Sequence, residues 1–120
     1  MIKSKEDIDI FEGMKKLYFR ILDLKDKYKE NMDQLTEVIE EISNALRIIH
    51  NNSITKFQNI IKHTKIHEEL IELMKHINCE TYAPLFTLIK KVLYKFIYRN
   101  PANQALLLPH LKLLLSMCSQ

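Results

Sequence analysis

Three observations on the sequence predict an all-α fold of five to six helices. Apolar residues recur three and four positions apart along most of the chain, which is the spacing of an amphipathic helix. The chain contains one glycine, three prolines and no tryptophan, whereas a β-hairpin fold needs glycine at its turns. Its length of 120 residues suits one compact domain. We therefore expect a single all-α domain over residues 1–120, with an N-terminal helical pair (1–52) and a second part (53–118).

The N-terminal pair is predicted from two apolar stripes. Asp7 or Asp9 can cap a first helix that runs to about Asn31. Asp33 is expected to cap the second helix, which ends at His50-Asn51-Asn52 because asparagine tolerates the left-handed conformation of a helix C-terminus. The stripes are Met14, Leu17, Tyr18, Ile21, Leu22, Leu24 and Tyr28 in the first helix, and Leu35, Val38, Ile39, Ile42, Leu46 and Ile49 in the second.

Three further helices follow in the middle of the chain. The third starts at Ser53 and fades at the polar run His63-Thr64-Lys65, and the fourth spans Ile66–Ile77. Thr81 is expected to cap the fifth helix, Tyr82–Tyr98, whose early proline replaces an amide that has no partner within the helix.

The most apolar part of the chain lies between Thr81 and Cys118, and it is predicted to form a helical hairpin. Pro101 disfavours the helical conformation at Asn100 and so ends the fifth helix, and Asn103 can cap the short helix that follows. Pro109 separates that short helix from the last one. Helices this apolar need cover from the rest of the chain. The expected contacts join Leu93, Phe96 and Ile97 to Leu107, Leu111, Leu114 and Leu115.

An internal repeat predicts how the helices are stacked. Phe57–Ile61 leads into the apolar stripe of Ile66–Met74, and about 46 residues later Asn103–Leu107 leads into Leu111–Leu115. A period near 45 residues with three helices per unit is typical of armadillo-type solenoids. The sequence therefore predicts an armadillo-like right-handed stack. One strong and one partial unit indicate a piece of a longer array, or a module that docks on another protein.

The distribution of charge along the chain bears on the kinds of partner that it could bind. The net charge is +3, with −2 in residues 1–52 (nine Lys/Arg, eleven Asp/Glu) and +5 in residues 53–120 (nine against four). Lysines on outward helix faces explain this bias better than a nucleic-acid partner does.

The longest apolar runs, Ala105–Leu108 and Leu113–Met117, fall far below the roughly 18–20 residues of a membrane span. The charged N-terminus is unlike a signal peptide, and Cys79 and Cys118 form no disulfide pattern, so we expect a reduced, cytoplasmic protein without membrane insertion.

The residues that could carry chemistry are few. The histidines of His63-x-x-x-His67, followed by His76-x-x-Cys79, have the residue types of a zinc site. The predicted helix break between the first two histidines removes their shared face, so no metal or cofactor is expected. There is no glycine-rich phosphate loop, nucleophile elbow or pair of catalytic carboxylates, and the chain is not expected to be an enzyme.

Aromatic and basic residues alternate near the end of the fifth helix, as they do on some nucleic-acid-binding surfaces. Tyr94, Phe96 and Tyr98 nevertheless fall at helical spacing beside Leu93 and Ile97, so core packing is the preferred interpretation.

From about Ser53 to Met117, the pattern resembles the helical homology (RIH) domain shared by inositol trisphosphate receptors and ryanodine receptors. That family has a short helix, an Ile-Leu-rich helix, an Ala-Pro-containing apolar helix and an Asn-Gln start to the next helix. The matching elements here are Ile66-x-x-x-Leu70-x-x-Leu73-Met74, Tyr82-Ala83-Pro84-Leu85-Phe86 and Asn103-Gln104-x-x-Leu107.

This resemblance implies an armadillo-like cytosolic segment of an intracellular calcium-release channel. Some copies of the family's domain supply cationic residues to one wall of an inositol phosphate pocket. Here only Lys62 among the matching positions is cationic, and a trisphosphate needs several converging Lys or Arg donors, so inositol phosphate binding is not expected. The other matching positions are Thr55, Asn59, Asn100, Pro101 and Ala102.

Two functions remain open at this point. The first is a non-catalytic scaffold module of a calcium-release channel, which couples neighbouring domains of a larger chain by packing. The alternative is a free-standing armadillo-like adaptor that binds a partner helix or peptide in an apolar groove.

Overall fold

The computed structural model describes residues 5–46 and 51–115, and this part of the chain is all-α, with no β-strand. The predicted fold class is therefore confirmed at the level of all-α architecture. The α-helices are α1 (Lys5–Lys25), α2 (Met32–Ala45), α3 (Asn51–Thr64), α4 (Ile66–His76), α5 (Ala83–Ile97), α6 (Pro101–Leu107) and α7 (Leu111–Leu115), with a 3-10 turn at Leu108–His110 between the last two.

Helix α5 occupies the centre of the fold. It packs against α2, α3 and α4 on its inner side and against α6 at its C-terminal end. Its stripe includes Ile89, Leu93 and Phe96, which are almost completely buried, because an apolar residue every three or four positions points the same way along a helix.

Helix α1 forms the outer layer over α2, α3 and α4. It contributes Met14 and Ile21 to the core, and the Lys25 ammonium pairs with the Glu69 carboxylate on α4. The core cluster thus takes side chains from every helix between α1 and α6.

The predicted helix caps of the first half are wrong in detail. Asp7 and Asp9 lie within α1, which ends at Lys25 rather than near Asn31. Asn31 precedes α2 without a side-chain capping bond, and Asp33 lies in the first turn of that helix. Helix α2 ends at Ala45. Of its predicted end at His50-Asn51-Asn52, His50 lies outside the described residues, and the two asparagines are wrongly placed because α3 already begins at Asn51. Local sequence signals locate helices here better than they locate the residues that end them.

Two further caps differ for a clear physical reason. Asn78 accepts hydrogen bonds from the amides of Glu80 (2.9 Å) and Thr81 (3.0 Å), so Thr81 belongs to an asparagine-stabilised turn and does not cap α5. Asn100, and not Asn103, caps α6, because its side-chain oxygen accepts from the Asn103 amide at 3.1 Å.

The break between α3 and α4 is confirmed. Lys65 adopts the left-handed conformation with φ of 66°, which ends α3 and turns the chain into α4. As a result, His63 is exposed while His67 is buried.

Within the described ranges, every helix is too short or too polar to cross a membrane.

Candidate protein-binding groove

The hairpin between α5 and α7 is set by a polar network at the turn. The buried Gln58 side chain on α3 donates to the carbonyls of Lys95 (2.9 Å) and Tyr98 (2.8 Å), and it accepts from the Asn100 amide group at 2.9 Å. Asn103, also buried, donates to the Phe96 carbonyl at 2.9 Å. These bonds satisfy carbonyls that the end of an α-helix leaves without partners, so the turn is held in one geometry.

Beyond the turn, α6 and α7 fold back along α5 and leave an open groove of about 600 Å³. One wall is the outer side of α5 and the other is formed by leucines of α6 and α7. The lining residues are Thr87, Lys90, Lys91, Leu93, Tyr94, Ile97, Leu107, Leu111, Leu114 and Leu115.

Burial changes sharply along this second wall. Leu107 is buried and Leu114 is half-buried against the core, as expected from the sequence. Leu111 was expected in the core as well, but it is 46% exposed, and Leu115 is 67% exposed. The expected burial of these two leucines against α5 is wrong, and they line the groove instead. The 3-10 turn at Leu108–His110 has about 3.0 residues per turn, so the helical phase before it does not continue into α7.

The groove is apolar in its floor and cationic at its edge. Lys90 and Lys91 line the α5 wall, and the ammonium group of Lys90 lies 5.9 Å from the centre of the Phe86 ring. Tyr94 is 60% exposed on the same side of α5. A contiguous exposed apolar surface with a polar rim is characteristic of interaction sites on proteins.

The sequence does not predict this groove, although one signal for it is present. Residues 105–115 contain seven leucines, which is more than one face of a short helix can direct into a core. The excess leucines must therefore lie at the surface unless another element covers them. Leu106 and Leu108, at 41% and 65% exposure, belong to the same excess but lie outside the groove lining.

One of the histidines that the sequence offered as a zinc ligand, His67, is buried. The His67 ring stacks on Phe96 with 4.7 Å between ring centres, and it is 5% exposed. Its Nδ1 atom makes no hydrogen bond within the described part of the chain. The nearby Ile61 carbonyl favours the protonated ring, but by less than the Glu68 carboxylate does. Burial therefore lowers the pKa of His67, and the Glu68 carboxylate, 3.9 Å from Nε2, opposes this shift only in part.

The sequence-derived zinc candidates are spread over the fold. His63 is on α3, His67 is buried behind the break at Lys65, and Cys79 lies in the loop before α5. Among the described residues, no three His, Cys, Asp or Glu side chains are placed to hold a metal ion. The expectation of no metal stays a prediction.

The basic and aromatic residues near the end of α5 differ in burial and in what they contact. Phe96 is buried, as predicted, and Lys95 donates to the carbonyl and hydroxyl of Ser43 at 2.9 and 3.1 Å. Tyr94 is exposed, so core packing is wrong for this aromatic residue.

Comparison with known protein families, with curated proteins and with solved structures gives no match. The resemblance to the receptor homology domain thus stays a prediction from the sequence pattern.

Proposed function

We propose that this chain is a non-catalytic helical module that binds a helix of another protein or domain in the groove between α5 and α7. The observation that carries the proposal is the exposure of Leu111 and Leu115 beside an apolar floor. Exposed leucines lose contact with water when a partner's apolar side chains cover them, at about 25 cal/mol per Å² of buried apolar surface.

The shape of the groove supports a helical occupant. Its α5 wall runs from Thr87 to Ile97, which is about 15 Å at the 1.5 Å rise of an α-helix. This length matches two to three turns of a partner helix, whose anchors would lie at positions i, i+3 or i+4, and i+7.

The proposal takes two forms that differ in the source of the helix. In the first, the chain is an armadillo-like scaffold in the cytosolic part of a calcium-release channel, and the helix comes from a neighbouring domain. Support for this form is the sequence resemblance. In the second, the chain is an adaptor and the helix comes from a separate protein. An open reading frame that continues into a six-helix membrane region would favour the first form.

A displayed library of amphipathic helical peptides, selected on the folded chain, tests the proposal. We expect recovered peptides to lose about tenfold or more in affinity for the double variant Leu111→Ala/Leu115→Ala, since each leucine side chain buries apolar surface on binding. The matched control is Leu106→Ala/Leu108→Ala, which removes two exposed leucines outside the groove. Circular dichroism verifies that both variants remain folded.

Recovery of no peptide, or of peptides that respond equally to both double variants, would overturn the proposal.

A further inference from the structure

Charge is distributed unevenly around the groove. From residue 81 to the end of the sequence there is no Asp or Glu, while five cationic residues occur there: Lys90, Lys91, Lys95, Arg99 and Lys112. Lys91 is exposed on the α5 wall. Lys112 is exposed on α7, one turn before Leu115, and residues three apart lie on the same side of a helix.

Three acidic residues of α4 lie at a surface separate from the groove. Glu68, Glu69 and Glu72 line a separate depression of about 310 Å³, together with Leu106 and His110. Adjacent leucines of α6 therefore belong to different surfaces, with Leu106 beside carboxylates and Leu107 on the cationic groove. Among the described residues, the groove lining contains two lysines and no carboxylate, so the charges that line it are cationic.

We infer that the occupant of the groove is an amphipathic helix whose apolar face is bordered by aspartate and glutamate. This inference rests on the proposed function and adds the chemistry that selects the partner. The leucines bind the apolar face, and the lysines at the rim attract acidic side chains and repel basic ones. Complementary charge at the rim of an interface sets specificity and association rate more than it sets affinity.

The same charges disfavour a second copy of this chain as the occupant. A two-fold dimer through the groove would place the same surface on both sides of the interface. Lys91 and Lys112 of one copy would then face the cationic rim of the other, without a carboxylate from residues 81–120 to compensate. A concave surface is also poorly shaped for insertion into a flat lipid surface, whereas it fits the convex side of a helix.

The experiment is a pair of selections, with a third as a control, that use one peptide library. The library has a constant apolar face at positions i, i+3, i+4 and i+7, and its flanking positions vary among Glu, Gln and Lys. One selection uses the unmodified chain and the other uses the variant Lys91→Glu/Lys112→Glu. Lys27→Glu is the control for a change in net charge, since Lys27 is exposed in the turn after α1 and does not line the groove.

We expect peptides with Glu at the flanking positions from the unmodified chain and from Lys27→Glu, and peptides with Lys from the charge-reversed variant. An acidic peptide should bind the charge-reversed variant about tenfold more weakly, because each exposed ion pair changes affinity by a few-fold. The difference should shrink as salt rises from about 0.05 to 0.5 M, since ions screen exposed charges.

The outcomes separate this inference from the function on which it rests. Peptides that depend on Leu111 and Leu115 but show the same flanking residues in both selections would overturn the inference and leave the proposed function standing. Recovery of no such peptide overturns both.

Two further measurements identify a different occupant. Sedimentation with vesicles of phosphatidylserine and phosphatidylcholine that is lost in Leu115→Glu, in the absence of peptide binding, would replace the helix by a lipid surface. A dimer at micromolar concentration that Leu115→Glu dissociates would replace it by a second copy. Either result contradicts the inference.

Discussion

At the scale of single residues, exposure decides what a leucine in the C-terminal region does. Leu107 is 3% exposed and belongs to the core, whereas Leu111, one turn later, is 46% exposed and lines the groove. Both have the same side chain and lie in the same apolar run. Truncating them should therefore have different effects on stability and on binding.

We expect Leu107→Ala to lower the free energy of unfolding by about 2–5 kcal/mol, the range for truncating a buried leucine. Leu111→Ala should lower it by less than about 1 kcal/mol, since much of its surface is already in water. Lys112→Ala, which removes an exposed side chain of α7, should change it by no more than about 0.5 kcal/mol. Urea titration of the three variants measures these differences. Equal losses for Leu107→Ala and Leu111→Ala would contradict the assigned helix phase.

The buried histidine predicts a pH dependence with a definite sign. Burial lowers the pKa of His67 in the folded chain, so the unfolded chain, with a pKa near the ordinary 6.5, binds the proton at higher pH. The stability is complete above about pH 6.5 and falls as the pH drops from there toward the lower pKa of the folded state. Urea unfolding between pH 7.5 and 5 measures this fall.

Leucine is apolar and similar in size to histidine. In His67→Leu, the loss of stability that comes from protonation of the His67 ring should therefore disappear. His63→Gln is the matched control, because His63 is exposed on α3 and its replacement leaves the buried ring unchanged. If His67→Leu and the unmodified chain lose stability in parallel, the buried ring is not the cause.

At the scale of secondary-structure elements, the turn between α5 and α6 holds the two walls of the groove in register. The buried Gln58 side chain joins α3 to the hairpin through Lys95, Tyr98 and Asn100, and the buried Asn103 side chain joins α6 to the end of α5. The left-handed conformation that follows α5 is adopted by Arg99, with φ of 50°, where many proteins use glycine. Hydrogen bonds of the side-chain amides thus stabilise a turn that many proteins make with glycine.

Adjacent residues of α6 test this role. Asn103→Ala removes the bond to the Phe96 carbonyl and leaves that group without this partner in a buried site, which should cost about 1–3 kcal/mol. Gln104→Ala removes a 3.1 Å bond from an exposed side chain to the Ile97 carbonyl, which water can replace, and should cost about 0.5 kcal/mol or less. Thermal and urea unfolding compare the two. A Gln104→Ala variant as unstable as Asn103→Ala would show that burial does not set the cost.

At the scale of the whole molecule, the described residues cover the two sides of α5 unequally. Helices α2, α3 and α4 bury its inner stripe, and α1 covers those three helices in turn. Among the described residues, the groove beside α5 is lined by α5 itself and by the short α6 and α7. The exposed leucines and the lysines Lys90 and Lys91 therefore line the same groove.

The whole-molecule arrangement also bears on inositol phosphates. The bond between Asn100 and Gln58 brings the start of α6 next to α3, so the two segments that the predicted resemblance would assign to a receptor pocket are neighbours. Lys62 is the one cation among their matching positions. We expect soluble inositol trisphosphate to bind more weakly than millimolar, as measured by calorimetry at low salt, where screening is least. A micromolar dissociation constant would refute this expectation.

The sequence by itself determined the all-α class, the order of the helices and most of the core. These properties follow from local spacing, because an apolar residue every three or four positions defines one side of a helix whatever it packs against. The buried stripes of α2 and α5 and the break at Lys65 were therefore predictable from neighbouring residues.

Only the tertiary structure decided which apolar residues remain outside the core. The exposure of Leu111 and Leu115 depends on the 3-10 turn after Leu107 and on the side of α5 that other helices leave uncovered. The burial of His67 depends likewise on the ring of Phe96, which is distant in sequence. Helix spacing shows that a residue belongs to an apolar side, but contact with the rest of the chain determines whether that side meets the core or water.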